Sequence, residues 1–125
     1  MSSISLELTN RTVYKSAMAK ELHHPDRDQI DLSAVLEALS EPTRREIVMR
    51  LIEQGEAPCQ AFEGYAPKTN LSYHYARLRE AGVTRTRLAG PYRMISVRVD
   101  DLAARFPGLL DSIVQATRAK ALVSG

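Results

Sequence analysis

At Gly82 the hydrophobic pattern of the chain changes period, and few small folds accept such a change where it falls. Upstream, Pro67 to Gly82 reads PKTNLSYHYARLREAG. Wound at about 100° per residue, Leu71, His74, Tyr75, Leu78, Ala81 and Gly82 collect on one side, with Thr69, Ser72, Tyr73 and Ala76 opposite. Lys68 and Arg79 flank one border and Arg77 the other. Gly82 stops the helix, because it takes a positive φ at little steric cost. Downstream the period becomes two: VTRTRL, the turn AGP, then YRMISVRV, an antiparallel hairpin around Gly90-Pro91. Its arginines, Arg85, Arg87 and Arg93, are expected to cluster on and beside the tip.

The outward side of the 67–82 helix offers small hydroxyls and a phenol edged by cations. Hydroxyls and phenols bond base edges in the DNA major groove, while cations hold phosphates. An ordinary amphipathic surface helix has the same wheel, so the context decides. Before it, GEAPCQAFEGYAPK leaves room between Pro58 and Pro67 for about two turns of helix, anchored by Cys59 and Phe62. A short helix, a turn and a reading helix make a helix-turn-helix. The hairpin that follows is then a wing, lying along phosphates or in the minor groove.

Charge supports a polyanionic partner. From Lys68 to Arg98 seven cations face the single carboxylate Glu80, a net +6, which leaves −4 for the rest of a chain whose total is +2. At 125 residues and 44% hydrophobic content the chain is one compact domain. No apolar run approaches the ~20 residues that span a bilayer, and the opening MSSISLELTN has neither a basic leader nor a signal core, so a cytoplasmic protein is expected. The single cysteine, Cys59, excludes an internal disulfide.

The remaining segments frame that centre. Ile4, Leu6 and Leu8 alternate like a strand or sit in a loose tail, and Val13, Tyr14, Ala17, Met18 and Leu22 recur at helical spacing. His23, His24, Asp26 and Asp28 offer metal-ligand chemistry but match no regular site, so a polar hinge is expected. Asp31 caps a helix with Leu32, Val35, Leu36 and Leu39 as its core stripe and Ile30 as its staple. Ser40-Glu41-Pro42 starts another, with Ile47, Val48, Leu51 and Ile52 inward and Gly55 as its end; Thr43, Arg44 and Arg45 are placed to touch a DNA backbone, or to be solvated. Asp100 and Asp101 cap a turn. A last helix from about Leu109 then carries Leu109, Leu110, Ile113 and Val114 on a stripe with little left in its own chain to cover, which argues for a homodimer.

Three of these parts, in order, resemble the ArsR-type winged helix-turn-helix regulators of bacteria and archaea. They are the start LSEPTRREI, the segment from Leu71-Ser72 and His74 to Leu78-Arg79-Glu80-Ala81-Gly82, and the hairpin with glycine at its tip; residues 32 to 99 carry the match. The resemblance implies a mainly α fold with a β-hairpin wing. Residues 1–30 would form a tail and leading dimerisation helix, 31–99 the DNA-binding core and 100–125 a C-terminal dimerisation helix. It also implies a homodimeric repressor of an imperfect palindrome, released by a small-molecule effector that the sequence does not identify. By position, Lys68, Thr69, Asn70, Ser72 and Tyr73 correspond to the base- and phosphate-contacting start of the reading helix. Arg77, Arg85, Arg87 and Arg93 are the further candidate DNA contacts, and Val13, Ala17, Leu109, Leu110, Ile113 and Val114 the candidate dimer contacts.

Metal-sensing members of that family use a cysteine pair before the reading helix, or histidine and carboxylate ligands on the last helix. Here Cys59 stands alone and no histidine follows His74, so no metal or other cofactor is expected. Ser72, His74 and the aspartates have no spacing that unites nucleophile, base and orienter, so no enzyme is expected. The alternative reading is a winged-helix module that meets another protein rather than a specific DNA site.

Overall fold

The computed structural model describes residues 22–124, with side chains as far as residue 120. The expected strand at residues 4–8 and all but the last residue of the expected leading helix lie outside the described residues, as do Val13 and Ala17.

The described chain enters through a single 3-10 turn at Arg27–Gln29 and then forms α1, Leu32–Ala38. Asp31 caps α1 as expected, its carboxylate accepting from the Ala34 amide at 3.1 Å. The buried face differs from the expected one. Val35, Ala38 and Leu39 are buried, while Leu32 and Leu36 remain 44% and 45% exposed. In a helix of two turns the small Ala38 lets the backbone approach the core closely, and that rotation carries both leucines outward. Next comes α2, Pro42–Gln54, with the Glu41 carboxylate on the Arg44 amide at its start and Gly55, at φ +87°, at its end. Ile47, Val48 and Leu51 point into the core.

Residues 57–66 form less helix than expected. Ala57–Pro58 pair as a two-residue strand, β1, and Cys59–Phe62 make one 3-10 turn rather than two turns of helix. Pro58 is used by the strand, and Gly64, at φ +97°, ends the segment early. Phe62 is fully buried, edge-on to Tyr65 and Tyr75, with the Arg50 guanidinium 5.3 Å from its ring centre.

The reading helix α3, Lys68–Glu80, is followed by β2, Thr84–Ala89, and β3, Tyr92–Val97. Between helix and hairpin, Gly82 sits at φ +86°, and a Cβ there would lie 2.6 Å from Ile30 Cγ1. Only glycine fits this crossing. The sheet is antiparallel in the order β1-β3-β2, with Ala57 opposite Ile95 and Thr86 opposite the same residue from the other side. A two-residue turn joins Ala89 to Tyr92, with Gly90 at φ +60°.

Asp100 and Asp101 do not cap a turn; they lie in the first turn of a seven-residue helix, α4, Val99–Arg105. The final helix α5, Leu109–Ser124, packs on α2 and α4. Val114 is buried, and Leu109, Leu110 and Ile113 lie half-buried against the core of the same chain. The stripe expected to have little left in its own chain to cover thus packs in part on α2 and α4 of that chain. The whole is a mainly α fold with a small antiparallel sheet, consistent with a winged helix-turn-helix.

Candidate nucleic-acid interface

The two sides of α3 separate as its wheel requires. Leu71, His74 and Leu78 are buried and Tyr75 half-buried, while Lys68, Thr69, Asn70, Ser72 and Tyr73 are exposed. Tyr73 keeps 58% of its surface accessible, much for an aromatic ring on a folded chain. Along the first two turns the chain thus presents an ammonium, two hydroxyls, an amide and a phenol from one rigid element.

What holds that element is a buried cation. Arg44, expected to be exposed near a DNA backbone, is 4% accessible. Its Nε donates to the Ala38 carbonyl at 2.6 Å, and its Nη1 lies 3.1 Å from His74 Nδ1. A guanidinium has no lone pair to offer, so Nδ1 accepts and the ring proton is on Nε2. The same guanidinium stands 6.0 Å from the centre of the Tyr73 ring. Arg44 therefore ties the end of α1 to the buried face of α3 directly beneath its exposed face. Lower down, the Tyr75 hydroxyl donates to the Cys59 carbonyl at 3.0 Å, and burial pushes its pKa up to about 12. Burial also raises the Cys59 thiol, which disfavours a reactive thiolate.

The candidate cations are less open than their positions in sequence imply. Arg77 is paired with Glu37 and sits near Glu80. Arg85 lies 3.6 Å from Asp101, a carboxylate that also takes Arg27 and Arg98. Arg87 makes a two-pronged contact with Glu56, both bonds 2.8 Å, and that hydrogen bonding holds the Glu56 carboxyl below its ordinary range. Arg93 is exposed and has no ion pair among the described residues.

Nor do the three wing arginines form one cluster. Arg87 is opposite Met94, and Arg93 is opposite Leu88. Directly opposed residues share a face of the sheet and neighbours alternate, so Arg85 and Arg87 stand on one face and Arg93 on the other. Counting back from the two-residue turn would have found this in the sequence. Leu88 and Tyr92, 46% and 50% exposed at the tip, were not singled out by sequence reasoning.

The histidine-aspartate segment does not converge on an ion. His24 Nε2 accepts from the Thr86 amide at 3.0 Å, and among the described residues no three His, Cys, Asp or Glu side chains are grouped to hold a metal. No described helix is long and apolar enough to cross a membrane.

No protein-family model matches the chain. A curated relative is the uncharacterised HTH-type transcriptional regulator YceK of Bacillus subtilis (strain 168). It is 35% identical over 89 residues, which cover 69% of this chain and 88% of the relative.

Proposed function

Since the chain belongs to the HTH-type transcriptional regulators, we propose that it is a DNA-binding regulator of the ArsR type, a homodimeric repressor that reads an imperfect palindrome in the cytoplasm. The observation that carries this reading is the exposed set Lys68, Thr69, Asn70, Ser72 and Tyr73 on a helix fixed from below by Arg44. Asn70, Ser72 and Tyr73 meet base edges in the major groove, and Lys68 and Thr69 take phosphate oxygens at the groove edge. Arg77, Arg85, Arg87 and Arg93 serve the backbone, where their carboxylate partners give way to phosphates. With arginines on both faces, the wing straddles the sugar-phosphate rail rather than lying flat on it.

One such helix reads only a few base pairs, so tight binding needs two, about 34 Å apart. Leu109, Leu110 and Ile113 lie half-buried and Val114 buried against their own chain, so the pairing surface proposed on the described residues centres on the exposed Leu32 of α1, which a second copy covers symmetrically.

Selection of bound sequences from random DNA with the purified chain tests the proposal. Enrichment of one inverted repeat is expected, and its absence at moderate salt overturns specific reading. One observation favours a second reading, a protein-interaction module: the exposed Leu88 and Tyr92 at the wing tip. It predicts retention on DNA that is weak and blind to sequence.

A further inference from the structure

Between α2 and α5 runs a groove of about 640 Å³ lined by no residue of α3 or of the wing. Its size falls among pockets that take small organic molecules. Pro42, Arg45, Glu46 and Met49 form one wall at the i, i+3, i+4, i+7 spacing of a single helix face. The facing wall repeats that spacing on α5 with Ile113, Ala116, Thr117 and Lys120, and Leu36 and Leu39 of α1 complete the lining.

The chemistry of these walls selects an occupant. Most of the lining is apolar, with Arg45 and Lys120 offering positive charge from opposite walls and Glu46 a negative one. None of the three is in a salt bridge among the described residues. The net of +1 matches one negative head group, and a second would meet Glu46. Arg45 stands in the opening turns of α2, where the helix dipole also favours an anion. The Thr117 hydroxyl proton is committed to the Ile113 carbonyl at 2.8 Å, so it does not compete as a donor for the head group.

We infer that this groove binds a mono-anionic amphiphile, an organic carboxylate with an apolar body, and that its occupation is felt at the reading helix. The route is short. Arg45 Nη1 donates to the Leu39 carbonyl at 2.8 Å, and the adjacent Arg44 holds the Ala38 carbonyl and His74. A carboxylate that draws Arg45 from Leu39 loosens the end of α1 at the point where Arg44 grips α3. Binding in the groove stands independently of the DNA reading; the coupling rests on it.

Decanoate is a suitable probe, titrated by calorimetry into the full chain without DNA. Saturable binding at one site per chain is expected, weakened about tenfold or more in Arg45→Gln and in Lys120→Gln. Lys120 is exposed, so its variant keeps the test valid if Arg45→Gln folds poorly. Decanol, with the same tail and no charge, should bind correspondingly less. Equal decanol binding, or indifference to both substitutions, overturns the site. So does the absence of saturable binding, the outcome if residues 1–21 or a second copy fill the groove. Decanoate should also shift affinity for the selected DNA site in the unmodified chain and not in Lys120→Gln. Saturable binding with unchanged DNA affinity overturns the coupling. Failure of the regulator reading would appear instead as no selected site at all, with decanoate binding intact.

Discussion

The Arg44 guanidinium lies 3.1 Å from His74 Nδ1, and through it the buried face of α3 is bonded to the last turn of α1. Such a bond is worth more broken than made, since removing either partner strands a buried polar group. Arg44→Ala should lower stability by about 3 kcal/mol and His74→Ala by about 1–3 kcal/mol. Because both delete the same contact, the double variant should cost less than the sum. Urea unfolding of the three variants checks this, and strict additivity would show that the two groups act separately.

On the reading face, single alanine substitutions of Asn70, Ser72 and Tyr73 should cost about 1–3 kcal/mol on the selected DNA site and much less on random DNA. Competition binding measures the difference. Equal losses on both would make α3 a phosphate clamp.

For the wing, alanine at Arg87 or at Arg93 should each reduce the dependence of log affinity on log salt by about one unit. Glu56 competes with phosphate for Arg87, so Glu56→Gln should strengthen DNA binding while leaving the fold intact. Titration of DNA binding against salt reads all three variants. A slope unchanged by both arginine substitutions would place the wing off the DNA.

A pH dependence follows from His24. Burial, with Arg85 close by, holds its pKa below the ordinary value, and Nε2 accepts a bond that the protonated ring cannot accept. A folded-state pKa below the unfolded one means that the unfolded chain takes up the proton first. This contribution is therefore complete above about pH 6.5 and declines as pH falls from there through the folded-state value. Thermal unfolding across that window should show the decline, and His24→Gln should flatten it. An unaltered pH profile in the variant would assign the loss to other groups.

Pairing through α1 predicts that Leu32→Arg gives a folded monomer, since the side chain is exposed in one chain and would be buried unpaired between two. Sedimentation should show the halved mass, with loss of most affinity for the inverted repeat. A variant that still sediments as a dimer would put the pairing surface elsewhere.

How far the sequence could be read depended on how much each segment settles locally. The inward set of α3 was legible because thirteen residues sample the helical period more than three times. In α1, seven residues allow two rotations, and the one that buries Ala38 wins over the one that buries Leu32 and Leu36, since close approach outweighs side-chain size there. Arg44 was illegible for another reason. An arginine in a first turn is ordinarily solvated, and only the arrival of His74 and the end of α1 at one place gives it enough partners to stay buried. The partial cover that α2 and α4 give the stripe of α5 was illegible in the same way. The hairpin was read in outline, but its register, which separates Arg87 from Arg93, needed only a count from the turn.

The bond between His24 and the Thr86 amide bears on more than acid stability. β2 is an outer strand of the sheet, and among the described residues the Thr86 amide would, without His24, be unpaired along that edge. Open edges are where a second chain adds a strand and where aggregates begin. An imidazole seated on that amide occupies one rung of the ladder such a strand would use. His24 is in this sense a guard against self-templating, and it is withdrawn by a single proton.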